Sequence, residues 1–243
     1  MILLAVWEAA VVATGVPLRV FPSVEEVWGA AIELASDGTL WDHTWSSIRR
    51  VLVGAGLAAL LAIPFGLAMG MNRFIAGYFT PLLRFSVALA GIAWIPLATL
   101  WFGYGEGAVT FIIFNAVFFS LTYNTMLGVS RVSREVQRAA RSLGAGGPRM
   151  VWEVLLPGAM PSIVTGLRVG LGYGWRGLIA AEIIATNLGL GYLLFLARKF
   201  YSTDQVVLSM VVIGVLWLLM DRLLLAPLER RTIERWGMKR VAH

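Results

Sequence analysis

Residues 51–71, VLVGAGLAALLAIPFGLAMGM, contain no ionisable side chain. A helix over such a stretch is about 30 Å long, the thickness of a bilayer's hydrocarbon core. In lipid the backbone must satisfy its own hydrogen bonds, so only a helix or a closed barrel can cross. Four glycines at 54, 56, 66 and 70 suit close helix approach in lipid. Pro64 lies within the same run. This segment therefore reads as a membrane-spanning helix, and it sets the terms for the rest of the chain.

Comparable runs recur. Residues 1–16 form an apolar stretch containing Glu8, shorter than the usual span of about 20 residues. A signal peptide is the other reading of it, but the absence of a basic lead-in favours a first span whose start is truncated or little tilted. A third span is expected over 75–100, interrupted by Pro81 and Pro96, with Arg84 snorkelling to the interface or pairing across the bundle. A fourth covers 108–127, rich in phenylalanine and carrying Asn115 and Asn124. A fifth covers 162–185, with Arg168, Arg176 and Glu182 inside it, and a sixth covers 205–225. Only 14% of residues are charged, against about 25% in soluble domains, and mean hydropathy is +0.77. The fold class is all-α: one polytopic transmembrane domain over residues 1–243 with six transmembrane helices.

The intervals between spans carry their own signals. In 22–35, Ser23 and Glu26 form a capping box, which predicts an extramembrane helix lying on the bundle. In 40–50, Trp41, Trp45 and Ile48 share a face, the pattern of an interfacial helix. His43 there is read as a surface or packing residue, because no ligand cluster accompanies it. Residues 187–204 are expected to form an outer loop or a re-entrant helix.

The longest polar interval is 130–161, SRVSREVQRAARSLGAGGPRMVWEVLLPGAMP. It reads as two short amphipathic helices. The first runs from about Arg134 to Leu143, with Val136, Ala139, Ala140 and Leu143 on one side, and Gly144 ends it. Gly147 and Pro148 open the second, in which Val151, Val154 and Leu155 face one way until Pro157. Two short helices joined by a glycine elbow form a docking piece for a soluble partner.

Charge orients the bundle. With the N-terminus inside, the inner segments hold 12 of the 20 lysines and arginines and the outer segments 5, the other three lying within spans. This imbalance places both termini and the 130–161 segment in the cytoplasm. It also accounts for the net charge of +6 without nucleic acid as a partner. With no cysteine, neither a disulfide framework nor a cysteine metal site arises. No Walker A, HExxH or GxSxG pattern is present, and no acidic or histidine cluster has metal spacing, so neither catalytic residues nor metal ligands are assigned.

At 138–157 the chain resembles the EAA signature of the membrane subunits of ATP-binding-cassette importers: E-A-A, three residues, G, nine residues, I-x-L-P. Arg138, Ala139 and Ala140 stand at E-A-A, Gly144 at G, and Val154, Leu156 and Pro157 at I-x-L-P. Arginine replaces glutamate at 138, where Glu135 is a nearby substitute, and valine replaces isoleucine at 154. AWIPLATLWFGYGEG (93–107), NTMLGVSRV (124–132), LPGAMPSIVTGLRVGLGYGW (156–175) and NLGLGYL (187–193) are similar to permeases for nitrate, aliphatic sulfonate, taurine and related anions. Typical members of that group start with a short basic segment that is missing here.

The resemblance implies a permease subunit of an importer in the bacterial inner membrane. Its partners would be a second copy of the permease, two cytoplasmic ATPase subunits, an extracytoplasmic solute-binding protein and the lipid bilayer. ATP and magnesium would be held by the ATPases, with no cofactor on this chain. Residues 138–157 would couple to them, and Arg168, Arg176 and Glu182 are candidates for the translocation path. For Arg176 the competing role is helix pairing with Glu182 or with the partner subunit. From composition alone, an ion-coupled secondary transporter and a structural membrane subunit remain the rivals, although no internal repeat or coupling-ion site supports the former.

Overall fold

The computed structural model describes residues 7–8, 11, 21–89 and 91–235. The expected first span over 1–16 and the basic tail beyond 235 lie largely or wholly outside the described residues. The described chain is helical, with no strand.

Helix α1 (Val24–Ser36) starts at the capping box read from sequence: Ser23 Oγ accepts from Glu26 N at 3.2 Å, and Glu26 Oε2 accepts from Ser23 N at 3.0 Å. Its buried residues Ala30 and Leu34 pack against Leu193 and Leu208, so it lies along the bundle. Helix α2 (Thr39–Met71) is continuous for 33 residues. The interfacial helix expected over 40–50 and the span over 51–71 are thus one element, since neither glycine nor proline separates Arg50 from Val51. Pro64 lies inside it.

The third span is broken. Helix α3 (Arg73–Ala88) contains Pro81 without interruption, a 3-10 turn follows at Gly91–Trp94, and α4 (Ile95–Phe102) leaves at an angle of 99°. The break therefore falls at 89–94 and at neither proline. Pro96 occupies the first turn of α4, where its missing N–H leaves no carbonyl unpaired.

Helix α5 (Glu106–Arg131) is the axis of the molecule, packed along α2 on one side and along the fifth span on the other. Val109, Ile113, Val117 and Leu121 are fully buried on it. Glycines permit this packing: a Cβ at Gly70 would lie 2.5 Å from Val129 Cβ, and one at Gly170 would lie 2.9 Å from Val117 Cα. In a medium as apolar as the side chains themselves, such backbone proximity is the main source of helix adhesion.

Helix α6 (Arg134–Ser142) follows, then a helical turn at Gly147–Met150 and a π-turn at Val151–Leu155 leading into α7 (Leu156–Ala185). Gly147–Ala185 runs as one helical segment, so the second short helix is the foot of the fifth span and Pro157 does not end it. The wider π-turn lies immediately before Pro157, where the proline ring would crowd the carbonyl one turn back and supplies no N–H. Helix α8 (Leu190–Lys199) is a ten-residue helix packed on α7, and α9 (Thr203–Met220) is the sixth span. A second π-turn, Asp221–Leu225, joins α9 to α10 (Ala226–Arg235). Of the six expected spans, four appear as long apolar helices and a fifth as the bent pair α3–α4.

Candidate functional site

The chain direction fixes two ends of the bundle. The C-terminus of α5 and the start of the fifth span meet at the 130–161 segment, whereas the N-terminus of α5 and the C-terminus of α7 meet at the other end.

At the first end, α6 is capped on both sides. Ser133 Oγ accepts from Val136 N at 3.3 Å. At its C-terminus, Ala145 N donates to Ala140 O at 2.9 Å and Gly144 N to Arg141 O at 3.0 Å. This paired closure needs a left-handed residue, and Gly144 supplies it at φ +86°. The elbow is therefore rigid by backbone bonding. It rests on the core through Ala140, Val154 and Leu156, which are partly buried, with Pro157 half-buried beside them. Arg138 and Ala139 are exposed, and Arg138 reaches Glu135 at 3.8 Å in a solvated contact of little energetic weight. Leu143, Trp152 and Val136 project outward at 86%, 69% and 53% exposure, among Arg134, Arg141 and Arg149. Apolar side chains ringed by arginines at a stiff turn offer a grip for another protein.

At the opposite end a polar cluster joins three helices. Arg50 donates to Glu182 Oε1 at 2.7 Å, to Glu106 Oε1 at 2.8 Å and to Leu188 O at 2.6 Å. Glu182 also accepts from Ser47 Oγ at 2.7 Å and from Gly191 N at 2.9 Å. His43 is buried, and its Nδ1 meets the N–H and C=O of Gly189 at 3.0 and 2.8 Å, accepting from one or donating to the other by tautomer. The packing role for His43 is the one observed. Glu182 does not pair with Arg176: its carboxylate is fully buried and occupied by Arg50, Ser47 and Gly191. Six residues of helix also turn Arg176 to a different face.

The other arginines of the expected spans diverge. Arg168 donates to Asp221 and to Glu229, each at 2.7 Å, and ties α7 to the foot of α9 and to α10. Arg84 makes no ion pair among the described residues and is exposed on α3. Arg176 lines a cavity of about 420 Å³ between α3, the break in the third span, α5 and α7. Sequence reasoning noted Asn115 and passed over Ser86, Ser120 and Tyr173, which share this cavity. Their only signal was their position as polar residues inside apolar spans.

A helical bundle with glycine-packed spans, a broken span beside an intramembrane cavity and a rigid amphipathic elbow at one end defines a membrane transport permease. The chain belongs to the family of binding-protein-dependent transport system inner membrane components, whose family model matches residues 62–232. It is 36% identical to the taurine transport system permease protein TauC of Escherichia coli K12 over 235 residues, 95% of this chain and 85% of that protein. It is also 36% identical to a protein of the same organism named "Putative aliphatic sulfonates transport permease protein SsuC", over 97% of this chain and 89% of that one. The bicarbonate transport system permease protein CmpB of Synechococcus elongatus is 33% identical over 76% of this chain and 66% of its own length.

Proposed function

We propose that this chain forms the translocation path of an ATP-driven importer for a small organic or inorganic anion, such as an aliphatic sulfonate, taurine or nitrate. The reading is carried by one observation, the rigid elbow at 134–157 with Leu143 and Trp152 turned outward. The relatives that transport taurine, sulfonates and bicarbonate support the choice of solute class.

In this reading two cytoplasmic ATPase subunits grip the elbows of two permease copies. The arginines at 131, 134, 138, 141 and 149 favour the cytoplasmic side for the elbow, with both termini there as well. The solute-binding protein meets the opposite end, near the Arg50–Glu182 cluster. Moving a two-state permease from almost wholly inward-facing to almost wholly outward-facing takes about 5.5 kcal/mol of differential binding. A docking element held by two backbone hydrogen bonds and core contacts transmits such a bias, whereas a loose tail would dissipate it. Arg138, Ala139, Ala140, Gly144, Val154, Leu156 and Pro157 form and seat that element.

The test is uptake of taurine and of ethanesulfonate into liposomes holding the permease with its ATPase and binding protein. Uptake is expected to stop when ATP hydrolysis is blocked and to survive ionophores. Uptake that instead follows an ion gradient and ignores ATP would establish a secondary transporter.

A further inference from the structure

The cavity beside Arg176 has no assigned role, and its lining is chemically one-sided. Arg176, exposed on the last third of α7, contributes a positive charge and makes no ion pair among the described residues. No carboxylate lines the cavity among the described residues. Ser86, Asn115 and Ser120 are 6%, 7% and 5% exposed and face it from α3 and α5. Ser86 and Asn115 make no side-chain hydrogen bond among the described residues, and their polar atoms remain accessible rather than sealed in the core. Ser120 donates to Gly166 O at 3.3 Å and keeps its lone pairs. Tyr173 also lines the cavity and is half exposed.

The wall completes the picture. Ala88, Leu89 and Gly91 lie at the break in the third span and line the cavity, as does Phe119. Irregular backbone at membrane depth is tolerated where it is buried in protein or borders a hydrated cavity. The volume of about 420 Å³ lies in the range of small-molecule sites, roughly 300–1,000 Å³. An unpaired arginine, unpartnered amide and hydroxyl groups, and a short apolar wall together describe a complement for one kind of ligand.

We propose that this cavity is an anion site on the transport path, where a free oxyanion with a short aliphatic tail pauses against Arg176 and hydrogen-bonds to Ser86 and Asn115. The proposal rests on the reading of the chain as an anion permease and locates within it a station for the solute. Arg168, matched by Asp221 and Glu229, is not part of it.

The absence of native cysteine makes a direct test available. The full chain carrying Ser86→Cys, in phosphatidylcholine nanodiscs, is reacted with 2-sulfonatoethyl methanethiosulfonate and with its trimethylammonioethyl counterpart. The ratio of anionic to cationic modification rates is compared for Arg176, Arg176→Gln and Arg176→Lys. The ratio is expected to fall about tenfold or more with glutamine, because the two reagents sense the lost charge with opposite sign, and to hold with lysine. Millimolar ethanesulfonate is expected to slow modification when Arg176 is present and to have no effect in the glutamine variant. A ratio indifferent to Arg176→Gln, or no protection by ethanesulfonate, overturns the site. Ser120→Cys, read in the same way, replaces Ser86→Cys if that variant does not fold. No ATPase is present, so a negative result removes the site and leaves the permease reading intact, whereas ion-driven uptake by the native chain would remove the permease reading itself.

Discussion

Arg50 and Glu182, 132 residues apart in sequence, meet at 2.7 Å with side chains 1% and 0% exposed. Each ion has further partners: Glu106, Leu188 O and Thr186 for the guanidinium, Ser47 and Gly191 N for the carboxylate. The pair therefore fastens α2, α5, α7 and the start of α8 at the end of the bundle remote from the elbow.

Removing one partner strands the other. Glu182→Ala leaves the Arg50 guanidinium buried with its main acceptor gone, a change that typically costs about 3–5 kcal/mol. The purified variant is expected to melt well below the native chain. Combining it with Arg50→Met should recover part of the loss, because an apolar pair has no charge to desolvate. A double variant that melts below both single ones would show that the ions act separately.

Gly189 tests the same cluster by shape. Its φ of +127° suits glycine, and a Cβ there would collide with the Glu182 carboxylate. Gly189→Ala is expected to destabilise the chain and to expose Glu182 without changing any charge. By contrast, Gly56→Ala meets open space within a helix and should be neutral or slightly stabilising. Melting of the two variants side by side separates a collision from a general intolerance of added methyl groups.

The spans were legible because each is a run of apolar residues of bilayer length, and the elbow because its signals are local: Gly144 and Pro148 act on neighbours only. What escaped was set at a distance. Nothing near Arg50 announces Glu182, whereas Arg176 lies only six residues from it in the chain. Even so, the expected topology already put Arg49, Arg50, Glu106 and the end of the fifth span at one membrane face, which was enough to suspect a cluster. Of the elements that merged, α2 did so because nothing at the Arg50–Val51 junction stops a helix, and the Gly147–Ala185 segment because Pro157 does not compel a break. Neighbouring helices and π-turns absorb the lost hydrogen bond.

Arg168 carries a different kind of contact. Its two ion pairs, to Asp221 and Glu229, involve side chains 20–41% exposed, so each is screened and weak. Arg168→Gln is expected to lower stability by only about 1 kcal/mol. The local effect should be larger: α10 loses its tie to α7, and trypsin should cleave at Arg230 faster than in the native chain. An unchanged cleavage rate would mean that apolar contacts alone hold that helix.

The elbow separates stability from coupling most cleanly. Leu143 is 86% exposed, so Leu143→Glu should shift the melting of the isolated chain by no more than about 0.5 kcal/mol. Gly144→Val puts a β-branched residue at φ +86°, with open space around it but a backbone strain of about 1–2 kcal/mol, and should re-aim α6 without disturbing the spans. If an ATPase grips this surface, both variants should assemble in the membrane in normal amounts yet lose at least tenfold in ATP-driven uptake. Leu143→Glu would do so through a carboxylate buried in the contact, and Gly144→Val through a misdirected one. Uptake at the native rate in both variants would mean that force enters the bundle elsewhere, because no arrangement that drives the fifth span from this turn is indifferent to both its surface and its direction.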